Sequence, residues 1–443
     1  MKSPLSSLLA LLLALAPLAR VQAAQPVAAA PSPATVATSV ATSITAPAPA
    51  VDPALIPPDE QLPGSGPMRR APWFQNIWTE RRSAWANQVQ QDQGALVFLG
   101  DSITQGWWDV GSLFPGTKIA NRGISGDTTR GVLYRLRDDV LSLRPRAVVL
   151  LIGTNDLDEK AEPHTIASNV ALILAALHAH NPDMPVILCS VLPSSPLQRR
   201  PSESIRKINT LYRAAAETLP QVSYLDVWSA FADVQGDARS EEMPDLLHPN
   251  VLGYAKFAAV LRPLFENLGL VPAWPDDFVT EAGFVSLFNG RDLAGWHYKD
   301  GPALKGAVAT PDGRFAVRNG RLVATLSKVE RQYRQLWTVA AFPKDFELRL
   351  EFRASPNADS GVYLRGPQLQ CRDYPVAGPF ALLRNYRSND WNELIITVRG
   401  GLAHATCNGE VLIDAMEVPA TGPIGLESDR GQVEYRRIRI RSR

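Results

Sequence analysis

The run Ala95-Leu96-Val97-Phe98-Leu99-Gly100, followed by Asp101-Ser102, decides the fold of the first half of the chain. A short, continuous apolar run, as opposed to an alternating one, suits a strand buried on both faces. The same kind of run returns as KIANRG (118–123), AVVLLIG (147–153), VILCSV (186–191) and VSYLDV (222–227). Between them lie amphipathic stretches. TIASNVALILAALHAH carries apolar residues at helical spacing and stops at Asn181-Pro182, and a last helix begins near Asn250 and runs through GYAKFAAVLRPLFENL. The alternation predicts a parallel sheet covered by helices on both faces, an α/β domain of three layers. Ser102 then sits at the carboxyl end of the first strand, where open α/β sheets leave a crevice for ligands.

The remaining chain extends this frame on both sides. Its 443 residues exceed what one core needs, so two domains plus an extension are expected. Lys+Arg 45 against Asp+Glu 44 leaves a formal charge of +1 with no basic block, which argues against nucleic acid or an anionic membrane surface as partner. Lys2 precedes SLLALLLALAPLA and then Val21-Gln22-Ala23, the pattern of a cleaved signal peptide over residues 1–23, so the expected location is secreted or periplasmic. That apolar run is shorter than the roughly 20 residues of a membrane span. No cysteine follows it to carry a lipid, so no stable membrane anchor is expected. Residues 24–67 are mostly Ala, Pro, Thr, Ser and Val, with no charge before Asp52, and read as a flexible tether. Cys189, within VILCSV, reads as a buried thiol, whereas Cys371 and Cys407 in the C-terminal part either pair or stay free.

After about residue 271 the periodicity changes. In FELRLEFR (346–353) Phe346, Leu348, Leu350 and Phe352 share one face, and Glu347, Arg349, Glu351 and Arg353 the other. Short strands recur at GVYLRG, ELIITVRG, ATCNGEVLI with a turn at Asn408-Gly409, GPIGLES and YRRIRIR, which predicts an all-β sandwich. Pro272 and Pro275 mark the junction.

A serine at a strand end becomes a nucleophile only if a base takes its proton and a third group holds that base in the right tautomer. Asp245-Leu246-Leu247-His248, in the loop before the last helix, supplies both. Gly-Asp-Ser by itself turns up in roughly one chain in ten of this length at average composition, so weight rests on further blocks in order. Two are present: NRGISGDTT (121–129) after the second strand and Gly153-Thr154-Asn155-Asp156 after the third. Read alone, Asn155 is a turn residue and Ser102 a helix N-cap. Asp101 and Asp156 read as turn makers, and Arg130 and Arg135 as solvated or ion-paired. Trp107 and Trp108 line an acyl or sugar pocket or pack in the core. There is no HExxH or CxxC, and His178 and His180 do not share a helix face, so neither metal nor cofactor is expected.

The pieces GDSITQGW, NRGISGDTTRGVLYRL, GTND and LLHPNVLGYAKF resemble the SGNH hydrolases, the GDSL-type esterases, and within them the platelet-activating-factor acetylhydrolase catalytic subunits. The resemblance implies a flavodoxin-like hydrolase domain over 68–270, with Ser102, Gly126, Asn155 and His248 catalytic and Asp245 orienting the histidine. It also implies an oxyanion hole made by the backbone N–H groups of Ser102 and Gly126 and the Asn155 amide. Ile103 departs from the leucine of the family name, a conservative change. Residues 282–443 resemble the 3-keto-disaccharide hydrolase domain, a concanavalin-like jelly roll, through FVSLFNGRDLAGWH, DSGVYLRG, QLQCRD, WNELIITVRGG and GPIGLES. That likeness implies a carbohydrate-facing sheet with Arg365, Gln370, Asp373 and Trp391 as contacts. Members of that family often carry a glutamate where this chain has Gln368, and an amide cannot serve as general acid or base, which favours binding over cleavage. The expectation is a serine esterase removing acetyl or short acyl groups from carbohydrates, with Trp107 beside the acyl group and the sandwich holding the glycan. The alternatives are a glycosidic-bond hydrolase acting in the sandwich and a lipid or phospholipid acyl hydrolase. Oligomeric state is left open.

Overall fold

A computed structural model describes residues 55–298, 300–325, 332–343, 345–376 and 378–442. The expected signal peptide and the tether up to residue 54 lie outside the described residues. The five apolar runs form strands β1 (Leu96–Gly100), β2 (Ile119–Gly123), β3 (Ala147–Leu151), β4 (Val186–Cys189) and β5 (Val222–Leu225). They make one parallel sheet in the order β2-β1-β3-β4-β5. Helices follow as α1 (Pro72–Ala86), α2 (Ser102–Gln105), α3 (Val110–Leu113), α4 (Thr129–Asp139), α5 (Thr154–Asp158), α6 (Pro163–His180), α7 (Ser202–Glu217), α8 (Trp228–Phe231) and α9 (Val251–Asn267).

Strand alternation splits the burial between two cores. Val97, Leu99, Val148 and Leu150 pack with α4, α6 and α7 on one face. Leu96, Phe98, Val149 and Leu151 pack with Phe114, Phe231 and α9 on the other. Because β1 has β2 on one side and β3 on the other, the chain reverses its direction of travel across the sheet there, and a crevice opens beyond the strand ends. Ser102, Gly126 and Asn155 follow β1, β2 and β3 respectively.

The tether is bound further upstream than composition suggests. Arg130 donates to the carbonyls of Asp59 (2.9 Å), Pro63 (3.3 Å) and Gly66 (2.9 Å), and Asn169 exchanges hydrogen bonds with Ser65. Leu62 and Met68 are buried against Phe74, Trp78 and Trp85. The boundary drawn at residue 67 therefore falls inside a packed strap, because the groups that hold it belong to α4 and α6.

The second domain runs through β6 (Val285–Ser286), β7 (Trp296–Tyr298), β8 (Phe315–Arg318), β9 (Arg321–Thr325), β10 (Arg334–Thr338), β11 (Phe346–Ala354), β12 (Gly361–Leu364), β13 (Gln368–Gln370), β14 (Asn392–Arg399), β15 (Leu402–Cys407), β16 (Glu410–Glu417), β17 (Ile424–Ser428) and β18 (Gln432–Ser442). An antiparallel sheet ordered β13-β12-β17-β10-β7 faces a larger one ordered β16-β15-β14-β11-β18-β9-β8 across a single apolar core, as in a jelly-roll sandwich. The FELRLEFR alternation is realised in β11: Phe346, Leu348, Leu350 and Phe352 enter this core. On the opposite face Glu347 pairs with Arg349 and Arg441, and Glu351 with Arg436 and Arg437. Cys189, Cys371 and Cys407 are buried free thiols.

Helix α9 joins the domains. Glu266 accepts from Arg321 (2.5 Å) and Arg353 (2.9 Å), and Arg353 also reaches Glu434 (2.9 Å). All four side chains are buried.

Candidate active site

Ser102 opens α2, where the Asp101 side chain caps the helix by accepting from the backbone N–H of Ile103 at 3.0 Å. His248 lies in the loop before α9, and the Asn250 side chain caps that helix. The His248 Nε2 is 2.9 Å from Ser102 Oγ, and its Nδ1 is 2.6 Å from Asp245 Oδ2. Asp245 Oδ1 also accepts from the backbone N–H groups of Leu247 (3.0 Å) and His248 (2.7 Å), which fixes the loop that presents the ring. Partial burial works to raise the Asp245 carboxyl, but the hydrogen bonds from the His248 ring and from these two N–H groups outweigh it and hold the carboxyl below its ordinary value. A carboxylate that stays ionised keeps Nδ1 protonated, leaving Nε2 free to accept the serine proton.

The loop after β2 brings Gly126 to the same crevice. Gln105 Oε1 accepts from the N–H of Ser125 at 2.7 Å, and Asp127 N–H closes a turn on the Ile124 carbonyl at 3.0 Å. Gly126 has φ +85°, and a Cβ there would lie 2.5 Å from the Trp73 ring and 2.9 Å from Arg69 Nη1. Glycine is required both by the backbone and by the wall built against it. The Asn155 amide donates to the Asp127 carbonyl at 3.0 Å.

Three groups escaped the sequence reading. Arg200 donates to the Thr154 carbonyl (3.0 Å) and to Asn155 Oδ1 (3.3 Å), so it decides which end of the Asn155 amide faces the crevice. Arg69 donates to Asp158 (2.8 Å) and Glu159 (2.7 Å) and lies 5.4 Å from the Trp73 ring centroid. Strap and α1 thus deliver Arg69 and Trp73 to the position of Gly126. No local motif announces either residue.

The expectation for Trp107 needs correction. Trp107 is buried, lying 5.1 Å from Tyr254 and 5.0 Å from Phe257 in stacked geometry, so it fills the core under α9 and is not the exposed acyl contact expected. Trp108 is its exposed neighbour. Asp101 and Asp156 are helix and loop fasteners, Asp156 accepting from the Thr129 N–H and hydroxyl. Burial pushes both carboxyls up to about 7, and Asp127 up to about 6 despite its 2.8 Å pair with Arg135. Arg130 and Arg135 are buried, ion-paired anchors.

The four C-terminal candidates are not brought together. Arg365 is buried, donates to the Pro419 carbonyl at 2.9 Å and sits 5.0 Å from the Phe346 ring. Asp373 is buried and accepts from the Asn357 N–H at 2.8 Å. Trp391 is surrounded by the guanidinium groups of Arg321, Arg353 and Arg436, the last at 4.0 Å, next to the domain junction. Only Gln370 lies on the outward face of the five-stranded sheet, beside Gln368 at 3.1 Å. Among the described residues no group of three or more His, Cys, Asp or Glu side chains is arranged to hold a metal, and no helix is long and apolar enough to cross a membrane.

Residues 98–256 match the GDSL-like lipase and acylhydrolase family, and residues 283–441 match a 3-keto-alpha-glucoside-1,2-lyase-like domain. Over 195 residues the chain is 28% identical to platelet-activating factor acetylhydrolase IB subunit alpha2 of Rattus norvegicus, covering 43% of this chain and 84% of that protein. It is 29% identical to the alpha1 subunit of Bos taurus, covering 43% and 83%. A GDSL-like lipase of Bacteroides thetaiotaomicron superposes with a TM-score of 0.38 at 27% identity, covering 44% of this chain and 97% of that one.

Proposed function

Given that residues 98–256 form a GDSL-type acylhydrolase domain fused to a 3-keto-disaccharide hydrolase-like sandwich, we propose that the protein is a secreted or periplasmic serine esterase that removes acetyl or other short acyl groups from carbohydrates. The observation that carries this reading is the relay Ser102 to His248 to Asp245, at 2.9 and 2.6 Å, beside Gly126 and Asn155.

Ser102 Oγ attacks the ester carbonyl as His248 Nε2 takes its proton; the same proton goes to the departing alcohol, and water repeats the sequence to release the acid. The N–H groups of Ser102 and Gly126 and the Asn155 amide donate to the carbonyl oxygen as it becomes negative, in place of the Asp127 carbonyl contact that the amide otherwise makes. A short acyl group is favoured by the wall of Trp73 and Arg69 against Gly126 and by the core position of Trp107. A sugar alcohol is favoured by the adjoining sandwich. Export is favoured by the signal-like residues 1–23.

The lipid reading draws on the exposed Trp108, Val251 and Leu252, close in sequence to Ser102 and His248. Hydrolysis of acetylated xylo-oligosaccharides, chitin fragments, peptidoglycan and a short-chain phospholipid, compared between wild type and Ser102→Ala, tests both. Wild-type release of acetate from a saccharide, abolished in Ser102→Ala, is the expected result. Phospholipid as sole substrate would replace the carbohydrate reading.

A further inference from the structure

Arg69 lies ahead of the matched hydrolase region 98–256, yet its side chain reaches Gly126. Two features set that approach. The Pro67 carbonyl accepts from the Thr128 hydroxyl at 2.8 Å, which ties the strap to the loop of Gly126 close to both residues. Phe74 and Trp78 anchor α1 in the core and leave the neighbouring Trp73 half exposed, with its ring against the same glycine.

The guanidinium is held at two of its three nitrogens. Nε donates to Glu159 at 2.7 Å and Nη2 to Asp158 at 2.8 Å, and the side chain is only 9% exposed. Among the described residues Nη1 has no hydrogen-bond partner. It lies 2.9 Å from where a Gly126 Cβ would stand, and the Trp73 ring centroid is 5.4 Å from the guanidinium carbon. Charge around it is unbalanced: Asp158 is shared with Arg199 at 2.5 Å and approached by Arg200 at 3.8 Å, so three guanidinium groups face the two carboxylates of Asp158 and Glu159. The acids of the neighbouring loops are engaged elsewhere, Asp127 by Arg135 at 2.8 Å and Asp156 by the Thr129 N–H and hydroxyl. A guanidinium clamped by two carboxylates, with one nitrogen left over and an aromatic ring beside it, has little freedom left to lose on binding an anion.

We propose that Arg69 determines the specificity of the esterase site, its Nη1 receiving a carboxylate of the substrate next to the ester, so that the preferred substrates are anionic acyl esters. The inference rests on the reading of Ser102 as an acyl-transfer nucleophile and narrows its substrate class. A carboxylate suits the geometry better than a phosphate, because a single nitrogen offers two N–H groups and the Trp73 ring forms a flat wall beside it. The charge enters from one of two sources: the far end of a dicarboxylic acyl group, or a uronic acid in the acylated saccharide.

The test compares charged and neutral esters on the full chain. One pair places the charge in the acyl group, p-nitrophenyl hemisuccinate against p-nitrophenyl butyrate. The other places it in the alcohol, acetylated xylo-oligosaccharides with and without a glucuronic acid branch. The ratio of kcat/KM, charged over neutral, is read within each variant, so that a general loss of activity or of folded protein divides out. The wild-type ratio is expected to exceed one in one of the pairs, and that pair identifies the source of the carboxylate. Arg69→Met is expected to lower this ratio by about tenfold. Arg69→Lys, which keeps the charge without the clamped fork, is expected to lower it by less. In the wild type, about 0.5 M NaCl should lower the ratio as well, a reading that needs no variant to fold. A wild-type ratio of one or less in both pairs, a ratio insensitive to salt, or a ratio unchanged in Arg69→Met overturns the proposal. Those outcomes leave the esterase reading standing as long as turnover depends on Ser102, whereas no Ser102-dependent turnover of any of these esters overturns both.

Discussion

Arg200 Nη2 donates to Asn155 Oδ1 at 3.3 Å, and through that bond a residue outside every recognisable motif orients the amide proposed as an oxyanion donor. Its Nε fixes the Thr154 carbonyl at 3.0 Å, so both backbone and side chain of the GTND turn hang on one guanidinium. Asn155→Ala is expected to lower kcat for p-nitrophenyl acetate by about 10²- to 10³-fold, the usual cost of one oxyanion donor. Arg200→Met is expected to lower kcat by about tenfold with KM little changed, since the donor stays present but misaligned. In the double variant the Arg200 loss should vanish, as there is no longer an amide to orient. Additive losses would mean that Arg200 acts elsewhere.

Asp245 is half exposed, yet it makes three hydrogen bonds to the His248 segment. Asp245→Asn keeps the shape and removes the charge that stabilises the imidazolium. A drop in kcat of about 10²- to 10⁴-fold is expected, compared with complete loss of triad turnover in Ser102→Ala. Steady-state rates of the two variants decide it, and a wild-type rate in Asp245→Asn would leave the histidine oriented by its backbone alone.

Gly126 resists substitution through its positive φ and through the Trp73 ring and Arg69 guanidinium packed against it. Gly126→Ala should therefore lose both activity and stability. Adding Trp73→Ala removes the clash with the ring, leaving the Arg69 guanidinium, which is the movable end of a flexible side chain, and the backbone strain of about 1 kcal/mol or more, so the double variant should regain melting temperature before it regains rate. If the double variant is no more stable than Gly126→Ala, the ring does not press on this loop.

How much of this was legible in the chain depended on whether the signal was local. Ser102 and Asn155 follow a strand and His248 precedes a helix, each in a short block, so backbone position and chemistry coincide in sequence. Arg200, Arg69 and Trp73 act through contacts between distant parts of the chain, as in the Arg69 pair with Glu159, 90 residues away, and nothing near them marks that role. The same cause misplaced Trp391: an aromatic in an Asp-Trp-Asn turn suggests a sugar platform, but three arginines of neighbouring elements enclose it. In the sandwich, strand periodicity was readable in FELRLEFR, whereas the pairing of Gln335 with Glu427 depends on a sheet order no periodicity records.

The buried carboxyls make stability fall as pH rises. Asp101 is pushed up to about 7, chiefly by burial, from an ordinary value of 3.8. The folded state thus holds a proton that the unfolded chain releases above about pH 4. Stability is full below that value and declines until the folded group ionises near 7. Asp245 has the opposite sign, its lowered carboxyl costing stability only below its ordinary value of 3.8. Asp101→Asn keeps the cap on Ile103 and should stabilise the protein at pH 8 relative to pH 5. The gain should be at least about 1 kcal/mol, because a tenfold difference in proton affinity between folded and unfolded chains is worth about 1.4 kcal/mol. Urea unfolding at the two pH values measures it. Parallel curves for wild type and variant would mean that Asp101 does not carry the proton.

Glu266 ties α9 to the sandwich, its carboxylate being the α9 charge in the buried quartet with Arg321, Arg353 and Glu434. Removing it leaves two guanidinium groups to share Glu434, which already accepts from Arg353 at 2.9 Å and lies 3.7 Å from Arg321. Breaking a buried pair from one side costs about 3–5 kcal/mol, and the surviving Glu434 contacts place Glu266→Ala at the lower end of that range. The cost falls on the junction, since Glu266 belongs to α9 and its three partners to β9, β11 and β18. Calorimetry should therefore show one unfolding transition in the wild type and two in Glu266→Ala, the hydrolase domain and the sandwich then melting independently. An unchanged single transition would assign the coupling to Asn319, Asn267 and Asn357, whose hydrogen bonds also cross the junction.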